Sequence, residues 1–145
     1  TDRSRGLGDV YKRQVQGSMK LSGEKMEGQE RVEVLGATTT KLLRLGFQAQ
    51  QIGYRYLREA VWVVCSDPEM ITSVTKLLYP EIAKRFSTTD KQVERAIRNS
   101  IETAWVKGNR DAWKALAGQS IQENATRPTN REMISLLAGS VSKER

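Results

Sequence analysis

The sequence predicts an all-α fold, a single compact bundle of about six or seven short helices that contains a helix-turn-helix. Apolar residues recur at helical spacing in several segments. No segment alternates convincingly between polar and apolar residues as a half-buried strand does. Residues that cap or end helices separate these segments. A chain of 145 residues is long enough for one modest core, and we expect residues 35–145 to form that domain.

Residues 1–34 are expected to form a disordered tail and a linker. Thr1–Gln14 is charged, contains glycine and lacks an apolar period. Its composition is typical of adaptor sequence foreign to the domain, and the alternative is a basic arm that contacts DNA. Residues 15–33 are mixed in charge and contain three glycines, which is typical of a linker.

Two helices are predicted before residue 67. Thr38–Thr40 is expected to cap a short helix that ends at Gly46, since threonine favours N-caps and glycine favours the position after a helix. A longer helix is expected from Gln50 to Ser66. Its buried side should consist of Leu57, Ala60, Val61, Val64 and Cys65.

A third helix is predicted over residues 68–78. Asp67 is a good N-cap, Pro68 suits the first helical position and Glu69 complements the helix dipole. Tyr79 is expected to break the helix, because a residue before proline is disfavoured in the α region. The side chains predicted to face the core are Met70, Ile71, Val74, Leu77 and Leu78.

Residues 79–108, YPEIAKRFSTTDKQVERAIRNSIETAWVKG, predict a helix-turn-helix. The first helix is short, with an alanine at its middle where two helices can approach closely. Thr89 and Gln92 have capping-box spacing, so the second helix should begin at Asp90, and Gly108 should end it. Its predicted apolar stripe consists of Val93, Ala96, Ile97, Ile101, Ala104 and Trp105.

Long polar side chains lie opposite that stripe, mostly in the first half of the second helix. Helix-turn-helix proteins place their base-reading side chains in that half, so the pattern favours DNA binding. The alternative is an ordinary helical hairpin with a solvated, charged face. The outward residues are Lys91, Gln92, Glu94, Arg95, Arg98 and Asn99.

Two more helices are predicted towards the carboxyl end. Asn109 can cap a helix that ends at Gly118, and a polar loop follows over residues 119–128. Thr129 and Glu132 have capping-box spacing and open the last helix. The inward residues should be Ala112, Trp113, Leu116, Met133, Ile134, Leu137 and Val141. Trp62, Trp105 and Trp113 fall on apolar stripes, so we expect core anchors rather than base-stacking platforms.

Composition narrows the function classes. The net charge is +7, and residues 76–110 carry eight basic and four acidic groups, which favours nucleic acid over an acidic membrane as the partner. With one cysteine and no histidine, the chain lacks an intramolecular disulfide, the common zinc sites and a histidine general base. No apolar run approaches the roughly 20 residues that span a bilayer. We expect a cytoplasmic protein that is not an enzyme and needs no cofactor or metal.

Residues from about 38 to 141 resemble the DNA-binding effector domain family of stage-zero sporulation protein A. The matching words are GYRYLREAV at 53–61, ITSVTKLLYPEIAKRF at 71–86, VERAIRNSIETAW at 93–105 and RPTNREMISLLA at 127–138, in the family's order and spacing. The resemblance implies an all-helical fold and binding to promoter boxes of the TGTCGAA kind. It also implies tandem dimers on DNA and contact with the RNA polymerase sigma subunit.

The resemblance also implies roles for residues of the helix-turn-helix. In the family the base-reading helix carries the VERAIR word, so the base-reading candidates are Gln92, Glu94, Arg95 and Arg98. Docking geometries of this motif add phosphate-positioning candidates around them. These are Lys84, Arg85, Ser87, Thr88, Lys91, Asn99, Lys107 and Arg127.

The chain departs from the family pattern in two respects. Gln92 and Asn99 stand where the family more often has arginine and histidine, which leaves the preferred box open. Residues 1–34 are too few for the receiver domain of the family's regulators, so we expect DNA binding without phosphorylation, as a monomer in free solution. Both a fragment of a larger regulator and a stand-alone effector remain open.

Two alternative functions remain. A protein-interaction module could bind sigma factor or the full-length regulator without productive DNA binding. RNA binding through the basic face is disfavoured, because no aromatic residues are interleaved with the basic ones to stack bases.

Overall fold

The structure, a computed structural model, describes residues 15–117 and 127–144. The chain divides into two compact units, Thr1–Glu33 and Val34–Arg145. Every regular element in the described ranges is a helix, which confirms the all-α fold class. In order, the elements are α1 (Val15–Leu45), α2 (Ile52–Ser66), a 3-10 helix (Pro68–Ser73), a π-helix (Val74–Leu78), α3 (Tyr79–Arg85), α4 (Asp90–Lys107), α5 (Arg110–Ala117) and α6 (Asn130–Glu144).

The core of the Val34–Arg145 unit forms where the apolar faces of α2, α4 and α6 meet. Most of the predicted inward residues of these helices are confirmed as buried, because each apolar stripe at helical period lies against a neighbouring helix. Cys65, Ala96 and Trp105 are only partly buried at the margin of the core. Trp113 is a core anchor, and Trp62 and Trp105 pack against the core from its margin. The fully buried members include Leu57, Val61, Val93, Ile97, Ile101, Met133, Ile134, Leu137 and Val141.

Helix α1 differs from the prediction at its start. The structure has helix over residues 15–33, where a linker was expected, because a glycine in a helix costs only about 1 kcal/mol and does not stop it. Thr38 is not a cap: it is fully buried inside α1, and its hydroxyl donates a 2.7 Å hydrogen bond to the Val34 carbonyl. The predicted disorder of residues 1–14 lies outside the described residues.

The predicted end of α1 at Gly46 is confirmed. Gly46 has φ +102°, its N–H donates to the Leu43 carbonyl at 3.2 Å, and the Phe47 N–H donates to the Leu42 carbonyl at 3.0 Å. These are the two hydrogen bonds of a Schellman cap, which favours glycine at the left-handed position.

Gly108 ends α4 as predicted, but for a different reason. Its backbone is extended, with φ −79° and ψ 174°. A Cβ atom there would lie 2.2 Å from the Leu45 carbonyl oxygen, so glycine is needed where the ends of α1 and α4 approach. The indole N–H of Trp113 donates to the same Leu45 oxygen at 3.1 Å, which holds α5 at this crossing.

Residues 68–78 form a 3-10 helix and then a π-helix, not the predicted α-helix. The Asp67 cap is confirmed, since its carboxylate accepts from the Glu69 N–H at 3.3 Å. The changed helical period turns Leu77 outward, where it is 44% exposed, so its predicted core position is wrong. Tyr79 keeps α conformation and begins α3, because its buried ring and hydroxyl contacts outweigh the preference imposed by Pro80.

Helices α2 and α4 cross in close backbone contact at Gly53. A Cβ atom on Gly53 would lie 2.1 Å from the Ala96 carbonyl oxygen and 2.7 Å from the Ser100 hydroxyl. Any larger residue must therefore push the start of α2 away from α4.

We expect Gly53→Ala to lower the free energy of unfolding by about 1–3 kcal/mol, because the new methyl group overpacks a backbone contact. The matched control is Gly36→Ala on α1, where an added Cβ meets nothing within 4 Å and should stabilise by about 0.5–1 kcal/mol. Urea denaturation measures both. Equal effects of the two variants would contradict the close crossing.

A buried polar contact ties the start of α6 to α4. The side-chain amide of Asn130 donates to the Tyr79 hydroxyl at 2.9 Å and to the Glu94 carbonyl at 3.1 Å. Burial raises the pKa of Tyr79 above its ordinary value of 10.0, against a smaller opposing effect of the Asn130 hydrogen bond.

The raised pKa of Tyr79 predicts a loss of stability at alkaline pH. Below pH 10 the phenol is protonated in both states, whereas above it the unfolded chain releases a proton that the folded chain retains, so the free energy of unfolding falls. Denaturation between pH 8 and 11 should give a flatter decline for Tyr79→Phe than for the wild type. Parallel declines would show that other groups cause the loss.

Candidate nucleic-acid interface

The turn between α3 and α4 is short and closed by backbone hydrogen bonds. Ser87 lies in the left-handed region with φ 53°, and the Thr88 N–H donates to the Ala83 carbonyl at 2.9 Å. Thr89 is extended, and its hydroxyl accepts from the Gln92 N–H at 3.2 Å, which confirms it as the N-cap of α4. The predicted helix-turn-helix is thus present, with Ala83 buried between its helices.

Arg85 holds α3 to α2. Its guanidinium donates to Glu59 at 2.7 Å and to Glu81 at 2.8 Å, and Glu59 is 93% buried. Partial burial lowers the pKa of Arg85, but the hydrogen bonds that Arg85 donates to Glu81 and Glu59, with the negative charges of both carboxylates, outweigh this effect and leave the pKa raised. These two ion pairs use the Nε–H and one Nη–H of a side chain that is 36% exposed, so other donors remain, and the phosphate contact of Arg85 stays a prediction.

The outward face of α4 carries long polar side chains on a single strip. Lys91, Arg95 and Asn99 are four residues apart, and all three are exposed along with Gln92. On the opposite side of the helix, Val93 and Ile97 are fully buried. The helix can therefore present Arg95 and its neighbours to a partner without exposing the core.

One side of this outward face borders the start of α2. Gln92, Arg95 and Asn99 line a shallow depression of about 300 Å³ together with Gln51 and Gly53. The close crossing at Gly53 sets the spacing of α2 and α4 along this depression.

Glu94 and Arg98 lie on the other side of α4 and form an ion pair one turn apart. They contribute to a larger open groove of about 730 Å³, here called the flank groove. The structure thus separates the four predicted base-reading residues: Gln92 and Arg95 project outward, and Glu94 and Arg98 line the flank groove. The groove's charged lining residues are Lys76, Glu94, Arg98, Arg127 and Arg131.

The remaining phosphate-positioning candidates lie on α3, in the turn, at the end of α4 and just before α6. Lys84, Ser87 and Lys107 are exposed, and Thr88 is half-buried. Arg127 forms an ion pair with Glu102 on α4 at 2.8 Å. Arg127 therefore lies beside α4, and its contact with DNA stays a prediction.

Two basic residues of the flank groove, Lys76 and Arg131, were missed by the sequence analysis. Lys76 lies on the π-helix, and Arg131 lies in the first turn of α6, where its Nε donates to the Ile71 carbonyl at 3.2 Å. Only the tertiary fold brings these elements to α4. The one sequence feature that pointed to Lys76 was the excess of basic residues in the segment 76–110, where Lys76 is the first of eight.

Neither described range, 15–117 or 127–144, contains a helix long and apolar enough to cross a membrane.

The sequence of residues 38–141 matches a known protein family, described as sporulation initiation factor Spo0A C terminal. The matched segment contains the whole helix-turn-helix and most of the Val34–Arg145 unit. The family is a DNA-binding effector domain of a sporulation response regulator, in agreement with the basic outward face of α4. From the match and the fold we conclude that this chain belongs to the Spo0A C-terminal family.

Proposed function

We propose that the chain binds duplex DNA sequence-specifically, with α4 in the major groove. The observation that carries the proposal is the strip of exposed donors on the first half of α4, backed by a fully buried apolar face. An α-helix fits the major groove, where each base pair presents a distinct pattern of donors and acceptors. A strip of this kind can read that pattern while the core stays intact.

Arg95 is the leading base-reading residue in this proposal. It is exposed and central on the outward strip, and a guanidinium can donate two parallel hydrogen bonds to guanine. Gln92, one turn nearer the amino end, can pair with adenine in the same way. Glu94 and Arg98 would reach bases only at the edge of the footprint, since they pair with each other beside the flank groove.

Phosphate contacts would surround these base contacts. Lys84 and Ser87 lie at the end of α3 and in the turn, and Lys91 and Lys107 lie on α4, all of them exposed. Such contacts fix the register of the helix on the duplex without reading sequence. Their positive charge makes binding fall with salt concentration.

The partners follow from the same proposal. Promoter boxes are the ligand, and two copies on tandem boxes about one helical turn apart would lie on the same face of the duplex. Contact between those copies and contact with the RNA polymerase sigma subunit remain predictions. So does the cytoplasmic location.

The experiment that tests the proposal is selection from a random pool of duplexes, followed by sequencing of the retained molecules. Enrichment of a short box supports sequence-specific binding. If duplexes are retained but no box is enriched, the chain binds DNA only electrostatically, without reading its sequence. No retention, together with binding to a sigma subunit, would favour the protein-interaction alternative.

On the selected box, Arg95→Ala should weaken binding by about 1–3 kcal/mol, since a bidentate contact to guanine is lost. Binding to unrelated duplexes should change little. Titrations of both duplexes at one salt concentration measure the difference. Equal losses on the two duplexes would assign Arg95 to phosphate rather than to a base.

Lys84→Ala should instead weaken binding to every duplex by a similar factor, because phosphates are the same in all sequences. The slope of log affinity against log salt concentration should fall in magnitude by about 0.9. Lys114→Ala on α5 is the matched control, an exposed lysine outside the helix-turn-helix. An unchanged slope for Lys84→Ala would remove this residue from the footprint.

A further inference from the structure

The flank groove combines basic side chains from three parts of the fold. Lys76 comes from the π-helix, Arg98 from α4, and Arg127 and Arg131 from the loop and first turn at the start of α6. Among the described residues, Glu94 is the only acidic one in the lining, and Glu102 beside the groove pairs with Arg127. Four cations and these two carboxylates give the groove a net charge of +2, which suits an anionic ligand.

Polar uncharged groups complete the lining. Thr72, Ser73 and Thr75 lie on one wall, and Thr129 and Asn130 lie on the other. The hydroxyl groups can bind phosphate oxygens, as they do in protein–DNA interfaces alongside arginine and lysine, whereas both amide hydrogens of Asn130 are bonded within the protein. The chemistry of the groove is therefore that of a phosphate site.

The shape of the groove decides between a small ligand and a polyanion. Small-molecule sites usually enclose most of the ligand surface. This groove is open, and the side chains of Arg98 and Arg127 on its rim are 40% and 41% exposed. An open basic groove is suited to a chain of phosphates that passes across it.

The position of the groove identifies that chain. Glu94 and Arg98 line the groove, and Arg95 projects from the neighbouring side of the same helix. When a helix lies in the major groove, the two sugar–phosphate backbones run along its sides. A basic groove beside α4 thus lies where one backbone passes.

We propose that the flank groove binds the DNA backbone beside the base-reading helix, with Lys76 and Arg131 as phosphate contacts. This inference rests on the proposed function, since it assumes that α4 enters the major groove. It assigns the π-helix and the start of α6 to the DNA interface.

Asn130 sets the geometry of the site. Its amide bonds the Glu94 carbonyl and the Tyr79 hydroxyl, so the wall formed by the start of α6 is fixed to α4. The Arg127–Glu102 ion pair adds a second tie between the same elements. Lys76 lies three residues before Tyr79 and Arg131 directly follows Asn130, so these hydrogen bonds connect the backbone near both residues to α4.

The test compares Lys76→Gln with the wild type on the selected box and on an unrelated duplex. Lys76→Gln removes a charge from an exposed side chain and should lower affinity several-fold on both duplexes. The salt slope should fall in magnitude by about 0.9, and the preference between duplexes should persist. Arg131→Gln should behave in the same way.

The matched control is Lys143→Gln, an exposed lysine on the same helix as Arg131. It lies thirteen residues after Asn130, about 20 Å along α6, and should leave the salt slope unchanged. Thermal melting of each variant checks that the fold is retained.

The outcomes separate this inference from the proposed function. If the wild type selects a box, but Lys76→Gln and Arg131→Gln have the same salt slope as the wild type, the backbone contact proposed for the flank groove is wrong and the proposed function stands. If no box is selected but both variants reduce the slope, the groove binds the backbone and sequence-specific reading fails. If inorganic phosphate saturates the groove, as seen in NMR shifts of the Lys76 amide, while both slopes are unchanged, the groove is a small-anion site and the proposal is wrong.

Discussion

The close backbone contact between α2 and α4 at Gly53 is the constraint on which the rest of the structure depends. Without a side chain at that position, the carbonyl of Ala96 approaches the start of α2 directly, and α4 is seated on the core by backbone contact as well as by side chains. This matters for a recognition helix, because its outward residues must hold a fixed position relative to the phosphate contacts on other elements. Near the carboxyl end of α4, Gly108 and Gly46 have a similar role. Because neither has a side chain, the end of α1 can approach the end of α4 closely.

Acidic residues keep the basic surface ordered. Glu59 and Glu81 hold Arg85, Glu94 pairs with Arg98, and Glu102 pairs with Arg127. The exposed pairs among these, Glu94–Arg98 and Glu102–Arg127, contribute little stability, about 0–1 kcal/mol each. These ion pairs orient the arginine side chains: Arg85 is held against α2, and Arg98 and Arg127 are held along α4. The exposed Arg95 side chain projects from the outward face of α4. The basic residues of the helix-turn-helix are thereby divided into structural, flanking and outward groups.

The parts of the fold that depend on local chemistry could be predicted from the sequence. The caps at Thr89, Asn109 and Thr129 are confirmed, because each needs only a side-chain oxygen and the next two or three N–H groups. The parts that depend on tertiary contacts could not. Thr38 is buried in mid-helix, and Leu77 is exposed in a π-helix where an α-helix was predicted. For the interface, the outward position of Arg95 could be predicted from the helical period of the apolar residues. The ion pairs of Arg85 and the position of Lys76 in the flank groove could not, because they depend on contacts between elements far apart in the sequence.

The tryptophan pair at the carboxyl end of α4 has a practical consequence for spectroscopy. The rings of Trp105 and Trp113 lie edge to face with centroids 5.1 Å apart, and Trp113 is bonded to the Leu45 carbonyl at the glycine crossing. Trp105 follows Arg95 by ten residues, about 15 Å along the helix axis. Intrinsic emission of this pair should therefore report the docking of α1 and α5 on α4, and leave DNA occupancy to be followed with a label on the duplex.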